Sequence, residues 1–485
     1  MAIEQLLTWL PALLGYLIPI GLFLLAWGGM PPERARRSVT VAALALALAV
    51  LGYFAVGFAF HLGGAALVYA APGLEGLDHL YAGGDKLWGL VGVEGFFLTR
   101  DAGTTEAMGL FVIYLPMVTT AVLLPILSLY GRARDWQVIL VGLWVSLLLF
   151  PIVACWAWGG GWLANIGMTL ERGHGFVDHS GSVVVYLLGG MVALGALVGL
   201  GKRTPPGQPG EPAEMPPAHF PLLANLGSLL FALGWLGWAL STPFHTLPAR
   251  ENLNPSLIAV NGLLAVAGAA LVTQVYCWIT VGRADPLMTA RGAVAGLVAI
   301  SAGAPFFAPG AALGVGVVAG LILPLGVYLV ERVFRLPDGT AAAPIGALAG
   351  GLGGLAVAFL ANGQWGGGWN GIGLDEYQGV VGQGVTGFWP TGHFVGDGPG
   401  QLIAQVIGIG VVTGLAFLSG WAILAVSNLL YRSPREHPET SSPDATDVER
   451  SDSLWSRLTR LGATLGRTSA HFESADEHEA DEETK

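Results

Sequence analysis

Charge is what this sequence most lacks. Of its 485 residues only 11% are Asp, Glu, Lys or Arg, against 53% hydrophobic, and a soluble domain carries roughly twice that charged share. That excludes an ordinary water-soluble globule. Cysteine is almost missing: Cys155 and Cys277 each sit inside an apolar stretch, so buried reduced thiols are expected and no metal or redox motif can be built from them. There is no nucleotide-binding loop, no metal-ligand spacing and no Ser or Cys that the sequence can pair with a His. An enzyme is therefore not expected, nor a metal or other cofactor. The net charge of −11 says little about partners, because a large share of the acids follows Tyr431. The apolar part is nearly neutral, and nucleic acid is not an expected partner.

What the chain has instead is glycine, 73 residues, and tryptophan, 16; small residues allow close helix packing in lipid, and Trp anchors helix ends at the interface. Apolar runs able to cross a ~30 Å hydrocarbon layer fall near 5–29, 38–60, 107–130, 136–158, 179–200, 218–242, 254–281, 289–308, 311–333, 340–362 and 400–431. The fold class read from this is an all-α membrane protein of about eleven transmembrane helices. The first run leads into a basic turn and a second apolar span, which marks a membrane helix rather than a cleaved signal. Alternate connections carry the cations: Arg34, Arg36 and Arg37; Arg132 and Arg134; Lys202 and Arg203; Arg283; Arg332 and Arg335; Arg432 and Arg435. The positive-inside rule makes that set cytoplasmic, placing the amino terminus outside and the carboxyl terminus inside a cell membrane. An odd helix count requires the same split.

The other connections are longer and richer in Gly and Trp. Segments 61–106 and 363–399, with Trp88, Phe96 and Phe97, and Trp365, Trp369 and Trp389, predict compact outer caps. The loop 204–218 holds six prolines and predicts an extended tether. Two domains are expected: 1–431 as the transmembrane channel domain, and 432–485 as an acidic, mostly disordered cytoplasmic tail. Within the tail Leu454, Leu458, Leu461 and Leu465 recur at helical spacing beside Trp455. This predicts an amphipathic helix over 450–467, resting on the inner leaflet or on the protein's own cytoplasmic face.

Asp178 opens the fifth predicted helix and Asp338 the tenth. A carboxylate there accepts bonds from the free amides of the first turn, so helix capping is the plainer reading and substrate contact the sharper one. Their spacing, five helices apart, points to an inverted repeat of five plus five helices with a long eleventh. His179 beside Asp178 reads as a local hydrogen-bond partner of that carboxylate.

Several runs then resemble one family in order. Gly21-Leu22-Phe23 through Trp27-Gly28-Gly29-Met30 looks like its first helix. Trp158-Gly159-Gly160-Gly161-Trp162-Leu163 looks like its outer turn, and Gly175-Phe176-Val177-Asp178-His179-Ser180-Gly181-Ser182 like its signature. Gly189-Gly190, Leu200-Gly201-Lys202-Arg203, Gly234-Trp235-Leu236-Gly237-Trp238 and Gly292-Ala293-Val294-Ala295-Gly296 continue the series. From about 10 to 431 the chain resembles the ammonium transporter, methylammonium permease and Rhesus family.

The resemblance implies a homotrimer with one narrow apolar pore per subunit, moving ammonia or ammonium. It implies an outer substrate site of aromatic rings and a hydroxyl, where cation–π attraction replaces hydration: Trp158, Trp238 and Thr242, with Leu115 at the usual gating Phe and Phe111 one turn away. Two pore histidines should follow. Counting eight residues from Asp178 gives Tyr186, and five from Asp338 gives Ala343. Neither is histidine, and His61, His79, His174, His245 and His393 are expected at helix ends or in outer loops. A phenol titrating near pH 10 carries protons poorly. The expected activity is therefore passage of ammonia, or a similar small neutral solute, through an apolar channel. A non-transporting ammonium sensor and a pore retuned for carbon dioxide or an alkylamine are the alternatives. The tail leaves room for a cytoplasmic partner, although Arg432-Ser433-Pro434-Arg435-Glu436 departs from the family's regulatory tail.

Overall fold

In the computed structural model the residues described are 10–30, 35–36, 38–68, 73–82, 86–201, 221–241, 253–336 and 338–430. Thr242, the proline-rich loop and the tail with its predicted helix at 450–467 lie outside them. Contacts divide the chain into two units, Met1–Tyr431 and Arg432–Lys485, and the described residues all belong to the first.

Among the described residues ten helical runs are long and apolar enough to cross a membrane: α1 Leu10–Trp27, α2 Ser38–Leu67, α3 Thr105–Leu129, α4 Asp135–Trp158, α5 Ser182–Leu200, α6 Pro221–Ser241, α7 Pro255–Val281, α9 Pro309–Val333, α10 Ala342–Leu360 and α11 Gly398–Leu430. The eighth expected span is a shorter apolar helix, α8 Pro286–Ile300. It stops well short of residue 308 because the chain beyond it does other work. The carbonyls of Ser301 and Ala302 accept the amides of Ser180 and His179, and Asn261 Nδ2 donates to the carbonyls of Ala304 and Phe307 at 2.8 Å each. An apolar run of this kind marks membrane depth, not helical hydrogen bonding.

Small residues set the closest crossings. A β-carbon on Gly21 of α1 would stand 2.5 Å from the Gly227 carbonyl of α6, and one on Gly320 of α9 would stand 2.5 Å from the Ala269 carbonyl of α7. Lipid offers no hydrophobic drive between helices, so such backbone-to-backbone approach supplies the dispersion contacts that hold them.

The α5–α10 crossing has the mark of a two-fold axis. Counted from the capping aspartates, Gly190 at position 12 of the first half meets Ala347 at position 9 of the second, and Gly350 at position 12 of the second meets Leu187 at position 9 of the first. Exchanged contacts of this kind are what a two-fold relation between copies produces. Each half opens with Asp, a left-handed residue three positions on (Gly181, φ 92°; Ala341, φ 60°) and a π-helical stretch, Ser182–Leu187 or Ile345–Ala349.

Among the described residues three two-stranded antiparallel ladders lie in the connections at the end opposite Arg132, Arg283 and Arg332. They pair β1 Leu80–Ala82 with β2 Gly89–Gly92, β3 Asn362–Gly367 with β6 Gly384–Thr386, and β4 Glu376–Tyr377 with β5 Val380–Val381. Trp88 stacks on Trp162 at 6.3 Å, and Trp369 meets Phe306 edge-on at 5.2 Å, while Trp389 is exposed.

Candidate functional site

The signature turn before α5 organises one end of the bundle. Asp178 is buried, and its carboxylate accepts the amides of Gly181 at 3.1 Å, Val183 at 2.9 Å and Val184 at 2.8 Å. A charged acceptor on three free amides at a helix start is a favourable arrangement in low dielectric. His179 Nδ1 lies 2.7 Å from Ser180 Oγ.

The same turn hangs two indoles. Trp158 Nε1 donates to the Asp178 carbonyl at 2.8 Å, and Trp238 Nε1 to the Ser180 carbonyl at 3.1 Å. Their ring centroids are 6.5 Å apart. Tyr114 closes the group, 6.0 Å from Trp158 and 5.8 Å from Trp238. The third ring of the cluster is thus Tyr114. Phe111 stacks on Tyr53 at 5.3 Å, and Leu115 is a buried neighbour on α3. A one-residue change rotates a helical side chain by about 100°, which is the whole difference between position 115 and the ring that meets the indoles. An aromatic pair at 111 and 114 was the signal available.

Below the rings lies Tyr186, 1% exposed. Its ring is 6.0 Å from Phe231, and its hydroxyl has no hydrogen-bond partner among the described residues. The Ala343 amide donates to Asp338 Oδ2 at 3.0 Å, in the opening turn of α10. Gly346 lies against the Tyr186 backbone: its β-carbon would stand 2.5 Å from the Tyr186 carbonyl oxygen. Gly346 follows Asp338 by eight residues, as Tyr186 follows Asp178.

His61 lies in the last turn of its helix, as expected, and packs against the ring cluster. It lies within the helical stretch Phe58–Leu62, fully buried, with its ring 4.6 Å from Tyr114, 6.0 Å from Phe150 and 6.3 Å from Trp158.

At the arginine-bearing end a second buried polar group closes the bundle. Asp338 Oδ1 accepts Ser128 Oγ and Thr340 Oγ1 at 2.7 Å each. The buried guanidinium of Arg291 donates to the Gly339 carbonyl at 3.0 Å, and Glu331 accepts the Gly339 amide at 2.8 Å. The charges of Arg291 and Arg132 lie close enough to those of Glu331 and Asp338 to act on them through space. Among the described residues no cluster of His, Cys, Asp and Glu could hold a metal ion.

This geometry joins a cluster of three aromatic rings to an apolar helix crossing. The comparisons with known proteins agree. The model of the Ammonium Transporter Family matches residues 8–448. The chain belongs to that family. Among relatives, ammonium transporter Amt2 of Archaeoglobus fulgidus is 30% identical over 393 residues, covering 80% of this chain and 75% of that protein. Ammonium transporter Amt1 of Methanocaldococcus jannaschii is 34% identical over 206 residues, 42% of this chain and 49% of its own. Among solved folds, a sensor Amt protein superposes with a TM-score of 0.69 at 21% identity, covering 90% of this chain and 95% of that one. Mep2 of Saccharomyces cerevisiae superposes with a TM-score of 0.67 at 19% identity, covering 91% and 88%. This family member therefore keeps the fold and the signature turn while carrying Tyr186 and Gly346 at the crossing.

The cap over the aromatic end carries its own pH sensitivity. His174 lies in the connection before α5, its ring 4.1 Å from Tyr377, and Tyr377 donates to Asp397 at 2.6 Å. Burial pushes the imidazole down to about 3, whereas an unfolded histidine titrates near 6.5. Between those values the unfolded chain binds a proton that the folded chain refuses, so stability is lost as pH falls from about 6.5 towards 3. Protection factors at residues 370–378, exchange rates corrected for the intrinsic rate at each pH, should fall between pH 7 and pH 4.5. His174→Phe should flatten that dependence.

Proposed function

We propose that this multi-pass membrane protein of the ammonium transporter family conducts ammonia through an apolar path in each subunit of a homotrimer. Ammonium is recruited at the Trp158, Trp238 and Tyr114 rings, and the path passes Tyr186 where α5 crosses α10. Thr242, by its place after α6, contributes the outer hydroxyl. The observation that carries the reading is the cluster of three rings hung on the Asp178 turn, directly at the start of the helix that bears Tyr186. Indole and phenol faces attract a cation that has shed water, and the apolar crossing beyond them penalises charge by several kcal/mol. An ammonium ion therefore gives its proton to water at the outer mouth, and neutral ammonia alone enters the crossing. With no imidazole at 186 or 346 the path itself holds no strong proton carrier.

The aromatic end faces outward and the arginine-bearing end faces the cytoplasm, by the asymmetry of Lys and Arg. Residues 1–431 carry transport, and 432–485 form a cytoplasmic tail open to a partner or to the anionic inner leaflet. The chain does not act as an enzyme on this reading.

Proteoliposomes containing the purified protein should alkalinise faster than empty vesicles on ammonia entry. Equal rates would end the transport reading. Tyr186→Phe sharpens the test. Its hydroxyl is buried without a partner, a cost of about 1–3 kcal/mol to the resting fold, so removal should raise thermal stability. If a passing solute is that missing partner, the same change should slow ammonia entry about fivefold, the worth of roughly one hydrogen bond. Stability rising while flux falls is the expected pair of results.

A further inference from the structure

Within the transport reading, on which this inference rests, His61 is a buried polar group that the aromatic rings alone do not explain. Its Nδ1 lies 2.9 Å from the Tyr53 hydroxyl, while Nε2 is buried and has no hydrogen-bond partner among the described residues. Two of the rings around it, Tyr114 and Trp158, belong to the outer cluster. A histidine inside an apolar span is expensive, and such groups mark ligand pathways.

The local backbone is built to make this pairing. On a regular α-helix, side chains eight residues apart miss alignment by about 80°. Between Tyr53 and His61 the helix opens into a π turn, Tyr53–Gly57, whose wider winding takes up that excess and brings the phenol onto the imidazole. π turns of this kind recur at functional sites. The turn is locked from outside: a β-carbon on Gly57 would stand 2.6 Å from the Ser146 carbonyl, and α4 carries its own π turn there, Val145–Leu149. Two irregular helices thus fit each other where a regular pair would leave Tyr53 and His61 apart.

We infer that His61 is a specificity-determining residue of the outer site, and that its Nε2 accepts a hydrogen bond from an N–H of the ammonium or alkylammonium ion held against Tyr114 and Trp158. The tautomer that serves this role carries its proton on Nδ1 and donates it to the Tyr53 oxygen, leaving the Nε2 lone pair bare. Rings attract any weakly hydrated cation, including K⁺. An acceptor at fixed position favours a cation that carries N–H donors, which K⁺ lacks.

The test is methylammonium uptake by proteoliposomes of the full chain, with K⁺ as competitor, comparing wild type with His61→Phe, His61→Gln and His61→Asn. The Gln amide reaches the position of Nε2, and the Asn amide that of Nδ1. We expect His61→Phe to raise KM about tenfold, with kcat nearly unchanged and K⁺ competing more strongly, the loss of a charge-assisted hydrogen bond. His61→Gln should recover most of the KM, and His61→Asn should not. Unchanged KM in all variants overturns the inference, as does recovery by Asn equal to that by Gln, which would locate the role at Nδ1 and Tyr53 alone. If His61→Phe fails to fold, the Gln and Asn pair decides it. Absence of uptake by wild type would instead overturn the transport reading.

Discussion

Replacing Arg291 with methionine should cost about 3–5 kcal/mol of stability, the penalty for stripping one partner from a buried charge group. Arg291 is 2% exposed, its guanidinium reaches the Gly339 carbonyl, and it acts on the charges of Glu331 and Asp338. Without it the charges of Glu331 and Asp338 lose a buried counter-charge. The Gly339 carbonyl is orphaned at the same time. Because Asp338 Oδ2 also holds the Ala343 amide, the opening turn of α10 should loosen with it. The measurement is thermal unfolding in detergent together with hydrogen exchange at residues 338–346. Arg291→Lys should recover only part of the loss, since one ammonium cannot reproduce the planar fork. A variant with wild-type melting temperature would show the cluster to be dispensable.

The second large effect concerns any attempt to give the crossing two imidazoles. Tyr186→His should be tolerated, because the position already holds a large ring. Gly346→His should not. Its β-carbon would press on the Tyr186 carbonyl at 2.5 Å and on the Gly190 α-carbon at 2.8 Å, and these are backbone atoms of a helix that cannot yield alone. Overpacking typically costs about 1–3 kcal/mol and more where backbone must move. We expect little folded protein from Gly346→His, and Gly346→Val should fail similarly because the obstacle is the β-carbon rather than the ring. Folded yield by size-exclusion chromatography is the check. Wild-type yields would mean that the halves can part, and that the glycine is not what sets their distance.

The membrane spans are legible in the sequence because apolar runs of the right length leave few alternatives in lipid, and most of their ends fall near the expected places. The end of α8 is not legible, since Ala302, Ala304, Phe306 and Phe307 are as apolar as the helix before them. Trp158 and Trp238 can be placed from the motif, whereas the ring between them requires the helix phase, and Tyr114 differs from Leu115 by one step. Counting from Asp338 reaches Ala343 in the opening turn of α10, whereas the close approach to the Tyr186 backbone is made by Gly346, three residues on. His61 is hidden for a different reason. Its pairing with Tyr53 depends on a π turn, and no periodicity in 53–61 announces one.

The signature turn is completed by residues made much later. The Ser182 hydroxyl and the Ala302 amide that donates to it are 120 positions apart. At synthesis rates of about 5–20 residues per second, the polar mouth of α5 waits roughly 6–24 s for that partner. Through that interval the nascent fifth helix presents an unmet polar group at the membrane, so the insertion machinery, rather than the protein's own fold, must shelter the site until the eighth helix arrives.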